Sequence, residues 1–308
     1  NSTDLMMIKQ ADYDLVILGH FAKDKLVYGD VEKDALGGAI YYGGLGISHF
    51  NIRTAVITRL AEKDFNYLKL FKKYDITVYP QEADVTSGIR NEYILDNNLN
   101  ERICTPIAFA GPFQLEQIPD ISTKIFHIGA IMAGETSLEL ICHLSKKYPK
   151  VSLDLQGVLR IRENGKLIFK DWPHKKEGLN HIHTVKADNV EAEVITGKKD
   201  IIAAAEKISE WGPKEVVITH PDGVMVYVEG MIYEAPFSAK SFVGRTGRGD
   251  TCIANYLVCR LTSSPEESCK FAAAVTSLKL EKEGPFDGTY QDILDKLTTD
   301  YLWEKETV

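Results

Sequence analysis

The sequence lacks the features that define membrane, collagen-like, coiled-coil and disordered proteins. No apolar run reaches the ~18 residues of a transmembrane helix, and neither a Gly-X-Y period nor a heptad repeat is present. Apolar residues make up 44% of the 308 residues, an ordinary value for a globular protein. A chain of this kind can bury a sizeable core, either as roughly two domains of ~150 residues or as one large α/β domain.

Basic residues are too few for a typical nucleic-acid-binding protein. The chain has 36 lysines and arginines against 44 aspartates and glutamates, which gives a net charge of −8. Because proteins that follow a phosphate backbone usually carry a basic excess, we expect no nucleic-acid partner. A phosphorylated small molecule is not excluded, since one local anion hole can bind it against the net field.

Cysteine is scarce and shows no pairing pattern. The five cysteines are an odd number and include no CxxC pair, which is typical of free thiols in a reducing compartment. The first 14 residues carry three aspartates and no apolar secretory segment. We therefore expect a cytoplasmic protein that does not associate with a membrane.

Short strand-like runs alternate with helical patterns along most of the chain. Two of these runs, Asp14–Leu18 and Thr54–Thr58, are continuously apolar, as buried parallel strands require. Further strand-like runs recur at intervals of ~30 residues, the spacing of βαβ units; they are Lys124–Ile128, Val151–Leu155, Ile182–Lys186 and Glu215–Thr219. The pattern predicts a single α/β domain over residues 1–308, with a doubly wound, mostly parallel sheet flanked by helices.

Two segments break this rhythm and predict a small β-flap, or lid. Ala22–Leu36 mixes polar and strand-prone residues, and Val85–Pro106 contains an Asp-Asn-Asn turn at residues 96–98 between two strand-like halves. A flap over the ligand crevice of a doubly wound sheet would exclude water during chemistry. A separate hairpin is predicted at Val224–Tyr233, with its turn at Glu229-Gly230.

The most specific motif is a glycine-rich turn, Gly244 to Thr251 (GRTGRGDT), followed by an almost wholly apolar helix. Gly247 and Gly249 allow backbone N–H groups to turn toward a ligand at the helix N-terminus, which forms an anion hole. Asp250 in the first turn could accept a proton from an attacking hydroxyl, as a kinase requires. The alternative is an ordinary helix N-cap on a glycine-rich turn. The P-loop pattern GxxxxGK[ST] is absent, and Cys252 breaks the Rossmann fingerprint.

Two further segments carry candidate ligand contacts. Gly37 to Gly46 (GGAIYYGGLG) offers close backbone approach and aromatic rings that could stack on a sugar, or else a helix packed tightly on the sheet. At the end of a predicted strand, Asp188 and Glu191 share a helix face and could hold a hydrated Mg²⁺. The alternative for that pair is a solvated acidic first turn.

Taken in order along the chain, these features resemble the ribokinase-like (PfkB) carbohydrate kinase family. The resemblance covers about residues 14 to 284. Its motifs are Gly19-His20 with Asp24 after the first strand, the Gly37-Gly38 segment, Asp154 to Gly157 with Arg160, residues 186–197, and Thr246 to Asp250. The resemblance implies a ribokinase-like fold and ATP-dependent phosphorylation of a hydroxyl group, with Mg²⁺.

The resemblance also implies a role for each matching residue. Asp250 corresponds to the catalytic base, and the anion hole corresponds to Gly247, Arg248 and Gly249. The positions that contact the acceptor or the transferred phosphate are Asp24, Gly37, Gly38, Tyr42 and Arg160. The positions on the nucleotide side are Asp188, Glu191, Thr219 and Thr246, of which Asp188 and Glu191 would hold Mg²⁺ through water.

Several positions depart from the family pattern. Gly244 stands where many members carry an aspartate that helps to hold a monovalent cation, so we expect weak K⁺ dependence or none. Arg248 replaces a small residue, and Asp188 replaces an asparagine. Tyr42 and Ala22 each replace a sugar-binding asparagine of ribokinases. These changes favour another sugar, a cyclitol or a nucleoside over ribose as the acceptor.

The leading hypothesis is therefore a cytoplasmic carbohydrate kinase that uses MgATP and a sugar-like acceptor. Within the same class, the alternative is a nucleoside kinase; outside it, the alternative is a non-catalytic, sugar-responsive binding protein on the same scaffold. The exposed apolar face of the lid would be buried either when the lid closes on its own crevice or in a homodimer joined lid to lid; relatives in the resembling family often pair in this way, which favours the dimer. Residues predicted to form the exposed apolar face of the lid are Val27, Tyr28, Ile89, Tyr93 and Ile94.

Overall fold

The computed structural model describes residues 11–94 and 102–302 of the chain. The predicted Asp-Asn-Asn turn at residues 96–98 lies outside these ranges. None of the helices within them combines the length and apolar character needed to cross a bilayer. The five cysteines are all free.

Strands and helices alternate through the described residues. The strands are β1 (Tyr13–Leu18), β2 (Ala22–Tyr28), β3 (Val31–Gly37), β4 (Thr54–Ala61), β5 (Thr77–Ala83), β6 (Gly88–Tyr93), β7 (Arg102–Ala108), β8 (Thr123–Ile128), β9 (Val151–Asp154), β10 (Arg160–Glu163), β11 (Lys166–Phe169), β12 (Thr184–Asp188), β13 (Glu215–His220), β14 (Gly223–Val228) and β15 (Met231–Pro236). The α-helices are α1 (Lys69–Lys72), α2 (Leu138–Lys147), α3 (Gln156–Leu159), α4 (Lys175–Leu179), α5 (Asn189–Thr196), α6 (Ile201–Ser209), α7 (Arg248–Cys259), α8 (Pro265–Leu280) and α9 (Tyr290–Asp300). Short π- and 3₁₀-helical segments lie at Ile40–Gly44, Glu62–Leu68 and Leu115–Gln117.

The main sheet has nine strands in the order β15-β14-β13-β12-β9-β8-β1-β4-β5. The strands from β13 to β5 run parallel, and the predicted hairpin β14–β15 adds an antiparallel edge. From β1 the chain builds outward on one side to β4 and β5 and on the other to β8, β9, β12 and β13. The predicted doubly wound, mostly parallel sheet is therefore confirmed, and its ligand crevice is expected at the carboxyl ends of these strands.

The sheet is buried on both faces, which explains why its strands read as continuous apolar runs. Along β1, Leu15 and Ile17 enter the hydrophobic cluster that includes α7 and α8, whereas Val16 and Leu18 enter the cluster on the opposite face. All four side chains are fully buried. Burial of each such side chain stabilises the fold by about 1.5–3 kcal/mol.

A second sheet, with the order β3-β2-β6-β7, stands apart from the main one. Its strands fall within or overlap the two segments that broke the rhythm of the sequence, residues 22–36 and 85–106. The chain enters this sheet directly after β1, so the sheet projects from the crevice edge. We call it the lid, and its opening and closing remain a prediction.

The predicted exposed face of the lid is wrong for three of its five residues. Val27, Ile89 and Tyr93 are only 4%, 4% and 8% exposed. The reason is strand alternation: Ile89 and Tyr93 lie on the face of β6 that lines a cavity over the main sheet. Tyr28 is half-buried, and its ring stacks on that of Tyr93 with centroids 4.8 Å apart.

The apolar side chains that do reach the lid surface come from other positions. Ile94 is 40% exposed, as predicted. Ile103 and Ile107 of β7 are 48% and 49% exposed, and Val31 at the β2–β3 turn is 54% exposed. The lid therefore carries an exposed apolar surface, but β7 supplies more of it than β2 or β6.

Candidate active site

A cavity of about 400 Å³ lies between the lid and the carboxyl edge of the main sheet. The residues that reach it from β8, β9, β12 and β13, or from just beyond them, include Ile131, Gln156, Lys186, Asp188 and Thr219. The lid contributes Asp24, Ile89, Asn91 and Tyr93, and the N-terminus of α7 forms another wall. The cavity thus occupies the place where doubly wound sheets bind their ligands.

The turn before α7 presents a helix N-terminus to this cavity. Gly247 is the N-cap residue and has φ +80°, a left-handed conformation that favours glycine. The Thr251 N–H donates to the Gly247 carbonyl at 2.9 Å and closes the first turn. The first N–H groups of a helix have no intrahelical acceptor, so this end of α7 is suited to an anion.

Asp250 lies in the first turn of α7 and lines the same cavity. Its charge acts on three neighbouring groups alongside the larger effect of their burial: it favours the charged forms of Lys186 and Lys279 and disfavours ionisation of the Tyr42 hydroxyl. Asp250 therefore places a carboxylate beside a helix N-terminus that is suited to an anion. That is the arrangement in which a carboxylate can take a proton from a hydroxyl during phosphoryl transfer.

Tyr42 fixes the glycine-rich turn from the side of the sheet. The ring is 4% exposed and packs so closely on Gly247 that a Cβ built there would lie 2.0 Å from Tyr42 Cγ. On the other side of the turn, the hydroxyls of Tyr93 and Thr246 are hydrogen-bonded at 2.7 Å. Tyr42 therefore supports the glycine-rich turn, and its stacking on a sugar remains a prediction.

Lys186 is a site residue that the sequence analysis did not single out. It is 4% exposed, and its Nζ lies 3.1 Å from Asp154 Oδ2 and 3.6 Å from Glu191 Oε2. Burial opposes its charge, but these carboxylates outweigh burial and raise the pKa of Lys186. A Cβ at Gly249 would lie 2.8 Å from Lys186 Nζ, so the ammonium sits against the first turn of α7. The signal in the sequence was a lysine in the otherwise apolar interior of β12.

Asp188 and Glu191 form a capping box at the start of α5. The Glu191 N–H donates to Asp188 Oδ1, and the Asp188 N–H donates to Glu191 Oε2, both at 2.8 Å. Asp188 lines the cavity, whereas Glu191 is 1% exposed and lies behind it, where burial raises its pKa to about 7. The solvated acidic turn weighed as an alternative is therefore wrong for Glu191.

These two carboxylates fit a hydrated Mg²⁺ only in part. Residues 11–94 and 102–302 contain no group of three His, Cys, Asp or Glu side chains that could hold a metal ion. Mg²⁺ in kinases commonly keeps several waters and takes one or two carboxylates plus substrate phosphates. Asp188 is placed for such outer contact, and Glu191 would act by holding Asp188.

Asp24 belongs both to the lid and to the cavity. It is 8% exposed, and its Oδ1 accepts a hydrogen bond from the Ile89 N–H at 2.8 Å. A Cβ at Gly37 would lie 2.3 Å from Asp24 Oδ2, so the glycine leaves room for this carboxylate. Gly37 itself is not among the described residues that line the cavity. Gly38 does line it, with φ +94°.

Three more predicted residues reach the cavity. Arg160 is 5% exposed, and its guanidinium donates to the Ile131 carbonyl at 3.4 Å. The Arg248 guanidinium lies 5.9 Å from the centre of the Phe237 ring. Thr219 Oγ1 is buried and has no hydrogen-bond partner within the described residues, which suits a ligand contact.

Most of the predicted site residues therefore share one cavity. They are Asp24, Gly38, Tyr42, Arg160, Asp188, Thr219, Thr246, Gly247, Arg248, Gly249 and Asp250. Gly37 and Glu191 lie directly behind two of them. The cavity also holds Asn91 of the lid, which sequence reasoning missed because nothing in a strand pattern separates a ligand contact from an ordinary polar residue.

This fold and this cavity define a small-molecule kinase, since an anion hole with a carboxylate at its mouth serves phosphoryl transfer to a hydroxyl. The chain belongs to the ribokinase family of carbohydrate kinases and is a phosphotransferase with a hydroxyl acceptor. The family model described as pfkB family carbohydrate kinase matches residues 158–290.

One solved structure and one curated protein agree with this membership, and a more distant solved structure shares the fold. A pyrophosphate-dependent kinase in the ribokinase family, complexed with a pyrophosphate analog and myo-inositol, is 34% identical, with a TM-score of 0.84 over 91% of this chain and 99% of that chain. A cytidine kinase of Thermococcus kodakarensis is 26% identical over 268 residues, 83% of this chain and 91% of the relative. The ribokinase of Arabidopsis thaliana, complexed with ribose and ATP, is 19% identical, with a TM-score of 0.71 over 92% and 98% of the two chains.

Proposed function

We propose that this protein phosphorylates a hydroxyl group of a cyclitol or a closely similar sugar, with Asp250 as general base. The observation that carries the proposal is the position of Asp250 beside the N-terminus of α7, in one cavity with Asp24 and Arg160. The acceptor oxygen attacks the terminal phosphorus, and its proton passes to the Asp250 carboxylate. The bond from that phosphorus to the bridging oxygen breaks, and the leaving phosphate departs with the bond electrons.

The polar groups of the cavity suit a polyhydroxylated acceptor. Asp24 and Asn91 of the lid and Arg160 of the core offer a carboxylate, an amide and a guanidinium to hydroxyl groups. The 34%-identical relative bound to myo-inositol supports a cyclitol. Ribose is disfavoured by Tyr42 and Ala22, which are buried and carry no amide.

For the phosphoryl donor we propose inorganic pyrophosphate in preference to ATP. The support comes from the described dependence of the 34%-identical relative on pyrophosphate and from Arg248, which adds a cation at the anion hole where the family pattern has a small residue. Asp188 would contact Mg²⁺ on the donor through water, and that ion would offset phosphate charge. ATP, the donor implied by the family, remains the alternative for the same site.

A nucleoside acceptor is the second candidate function. The 26%-identical cytidine kinase favours it, and the apolar side chains of Ile89, Ile131 and Tyr93 could line a slot for a base.

The free cysteines agree with the predicted cytoplasmic location.

The test is a matrix of donors against acceptors. Pyrophosphate and ATP are each offered with myo-inositol, other cyclitols, hexoses, ribose and cytidine, in the presence of Mg²⁺, and the product is identified by ³¹P NMR. We expect the fastest turnover with pyrophosphate and a cyclitol. Faster turnover with cytidine would establish the second candidate. Ligand binding with no turnover in all of the donor–acceptor pairs would support the non-catalytic binding protein.

Replacing Asp24 with alanine should raise the KM for the acceptor at least tenfold and leave the KM for the donor nearly unchanged. The carboxylate lies on the lid side of the cavity, away from Asp188, and loss of a charged hydrogen-bonding group to a ligand costs about 1.5–3 kcal/mol. Steady-state kinetics with each substrate varied in turn makes the measurement. The control is Asp34→Ala in β3, a lid carboxylate with 90% exposure. Equal losses for donor and acceptor would mean that Asp24 acts only by holding the Ile89 N–H.

We also propose that the protein forms a homodimer through the lid. Ile103, Ile107, Val31 and Ile94 leave an apolar surface on it, and burial of that surface between two copies would remove it from water. Sedimentation at micromolar concentration should give twice the 34.5 kDa chain mass. Ile107→Lys should shift the protein toward the monomer, and a wild-type monomer would reject the dimer.

A further inference from the structure

A buried lysine lies behind the glycine-rich turn, outside the set of residues discussed so far as ligand contacts. Lys279 is in the last turn of α8 and is 2% exposed. Its Nζ donates a hydrogen bond to the Gly244 carbonyl, and it lies 5.2 Å from the centre of the Tyr42 ring. A lysine is rarely buried this deeply unless its charge has partners.

The surroundings of Lys279 favour a cation. The carbonyl end of a helix carries partial negative charge, and Lys279 is near the carbonyl end of α8. Burial lowers the pKa of Lys279 to about 8, while the carboxylates of Asp250 and Glu283 oppose that fall. The hydrogen bond to the Gly244 carbonyl and the position over the Tyr42 ring both suit the protonated form of the side chain.

Helix α8 holds the Gly244 peptide from two directions. The Gly244 N–H donates to the Leu280 carbonyl at 2.9 Å, and the Gly244 carbonyl accepts from Lys279. A Cβ at Gly244 would lie 1.8 Å from the Lys282 carbonyl oxygen. A carboxylate side chain therefore does not fit at position 244.

Both groups that Lys279 contacts, the Gly244 carbonyl and the Tyr42 ring, belong to or support the turn that forms the proposed anion hole. Gly244 begins the turn whose fourth residue is Gly247, and within this turn the Arg248 N–H donates back to the Arg245 carbonyl at 3.3 Å. The Tyr42 ring is the surface on which Gly247 rests. Displacement of either contact would move the N–H groups that face the phosphate.

We propose that the Lys279 ammonium is a built-in monovalent cation that positions the Gly244–Gly247 turn and so makes the enzyme independent of added K⁺. The proposal rests on the proposed phosphoryl transfer at this site and makes Lys279 a positioning residue. Because a misplacement of about 1 Å in a reacting group can cost about a hundredfold in rate, we expect its loss to lower kcat by tenfold to a hundredfold.

The test uses two substitutions of the full-length chain. Lys279→Ala leaves a space that a small cation can enter from the adjoining cleft, which is lined by Gly244, Lys279 and Glu283. Lys279→Met fills the space with an uncharged chain of similar length. Lys282→Met, at a lysine with 71% exposure, is the matched control. The kcat of each is measured in Na⁺, K⁺, NH₄⁺ and tetramethylammonium chloride at constant ionic strength.

Wild type and Lys282→Met should have the same kcat in all four salts. Lys279→Ala should lose activity and regain at least fivefold in NH₄⁺ or K⁺ but nothing in tetramethylammonium, and Lys279→Met should not be rescued. Lys279→Met leaves the buried Gly244 carbonyl without its donor, so its melting temperature should fall whatever the role of the lysine. The discriminating result is the rescue: a purely structural lysine would give a Lys279→Ala variant whose kcat no cation restores.

A second measurement does not require turnover, so it distinguishes failure of this proposal from failure of the proposed function. The affinity of each variant for inorganic pyrophosphate is measured by calorimetry in the same salts. We expect Lys279→Ala to bind more weakly than wild type and to recover in NH₄⁺. Unchanged affinity together with unchanged kcat, or a K⁺ requirement in wild type, would overturn the proposal.

Discussion

Asp250→Asn should bind donor and acceptor nearly as well as wild type and lose about 10²–10⁴-fold in kcat, the usual contribution of a positioned base. Asparagine keeps the size of the side chain and cannot accept the hydroxyl proton. Its amide also leaves the N-terminus of α7 free to bind the anion, because the N–H groups there belong to the backbone. Single-turnover kinetics and calorimetric binding of each substrate separate the two effects.

The control for this substitution is Asp292→Asn. Asp292 is also a first-turn aspartate, in α9, and lies outside the cavity. The loss of its interaction with the helix dipole should lower stability by about 0.3–1 kcal/mol without a change in kcat. Near-wild-type kcat for Asp250→Asn on the best acceptor would show that another group takes the proton.

The layout of the fold could be predicted because its signals are local. In β1, four consecutive apolar residues pack alternately into two opposite hydrophobic clusters. A strand covered on both faces can therefore be predicted from a segment of five or six residues. The turn at Gly247 was readable for a similar reason. Its left-handed backbone, the helix that follows and the first-turn carboxylate are all set within a few residues.

The supporting residues of the site could not be predicted because they depend on distant contacts. Lys186 meets Asp154 from a neighbouring strand, 32 residues away. Lys279 meets Gly244 across 35 residues. The sequence does not show which partner a lysine will meet at such a distance, and a lysine in a helix pattern, like Lys279, usually lies at the surface.

The lid illustrates a third kind of limit. Its strands were visible as β-prone segments, but the choice of exposed face requires the register of each strand against the core. A shift of one residue moves every side chain to the other face, and Ile89 and Tyr93 lie over the cavity and not at the surface.

Gly247→Ala should cause a large loss of activity, although it adds only one methyl group to the site. The new Cβ would lie 2.0 Å from Tyr42 Cγ, and the backbone at φ +80° disfavours a side chain by roughly 1–2 kcal/mol. Tyr42 is buried and cannot move freely, so the turn must shift away from it. Because this turn lines the proposed phosphate site, kcat/KM should fall by at least about a hundredfold, as for loss of an anion-hole donor.

Gly230→Ala separates the clash from the backbone strain. Gly230 has φ +84°, and a Cβ there meets nothing within 4 Å. It lies at the β14–β15 turn, so its alanine variant should lose about 1 kcal/mol of stability and keep full activity. Adding Tyr42→Ala to Gly247→Ala removes the ring that the methyl group strikes, although it also removes the support of the turn. Partial recovery of pyrophosphate affinity in the double variant would assign the loss in Gly247→Ala to the contact between the methyl group and the Tyr42 ring. Equal activity losses for Gly230→Ala and Gly247→Ala would instead assign that loss to backbone strain alone.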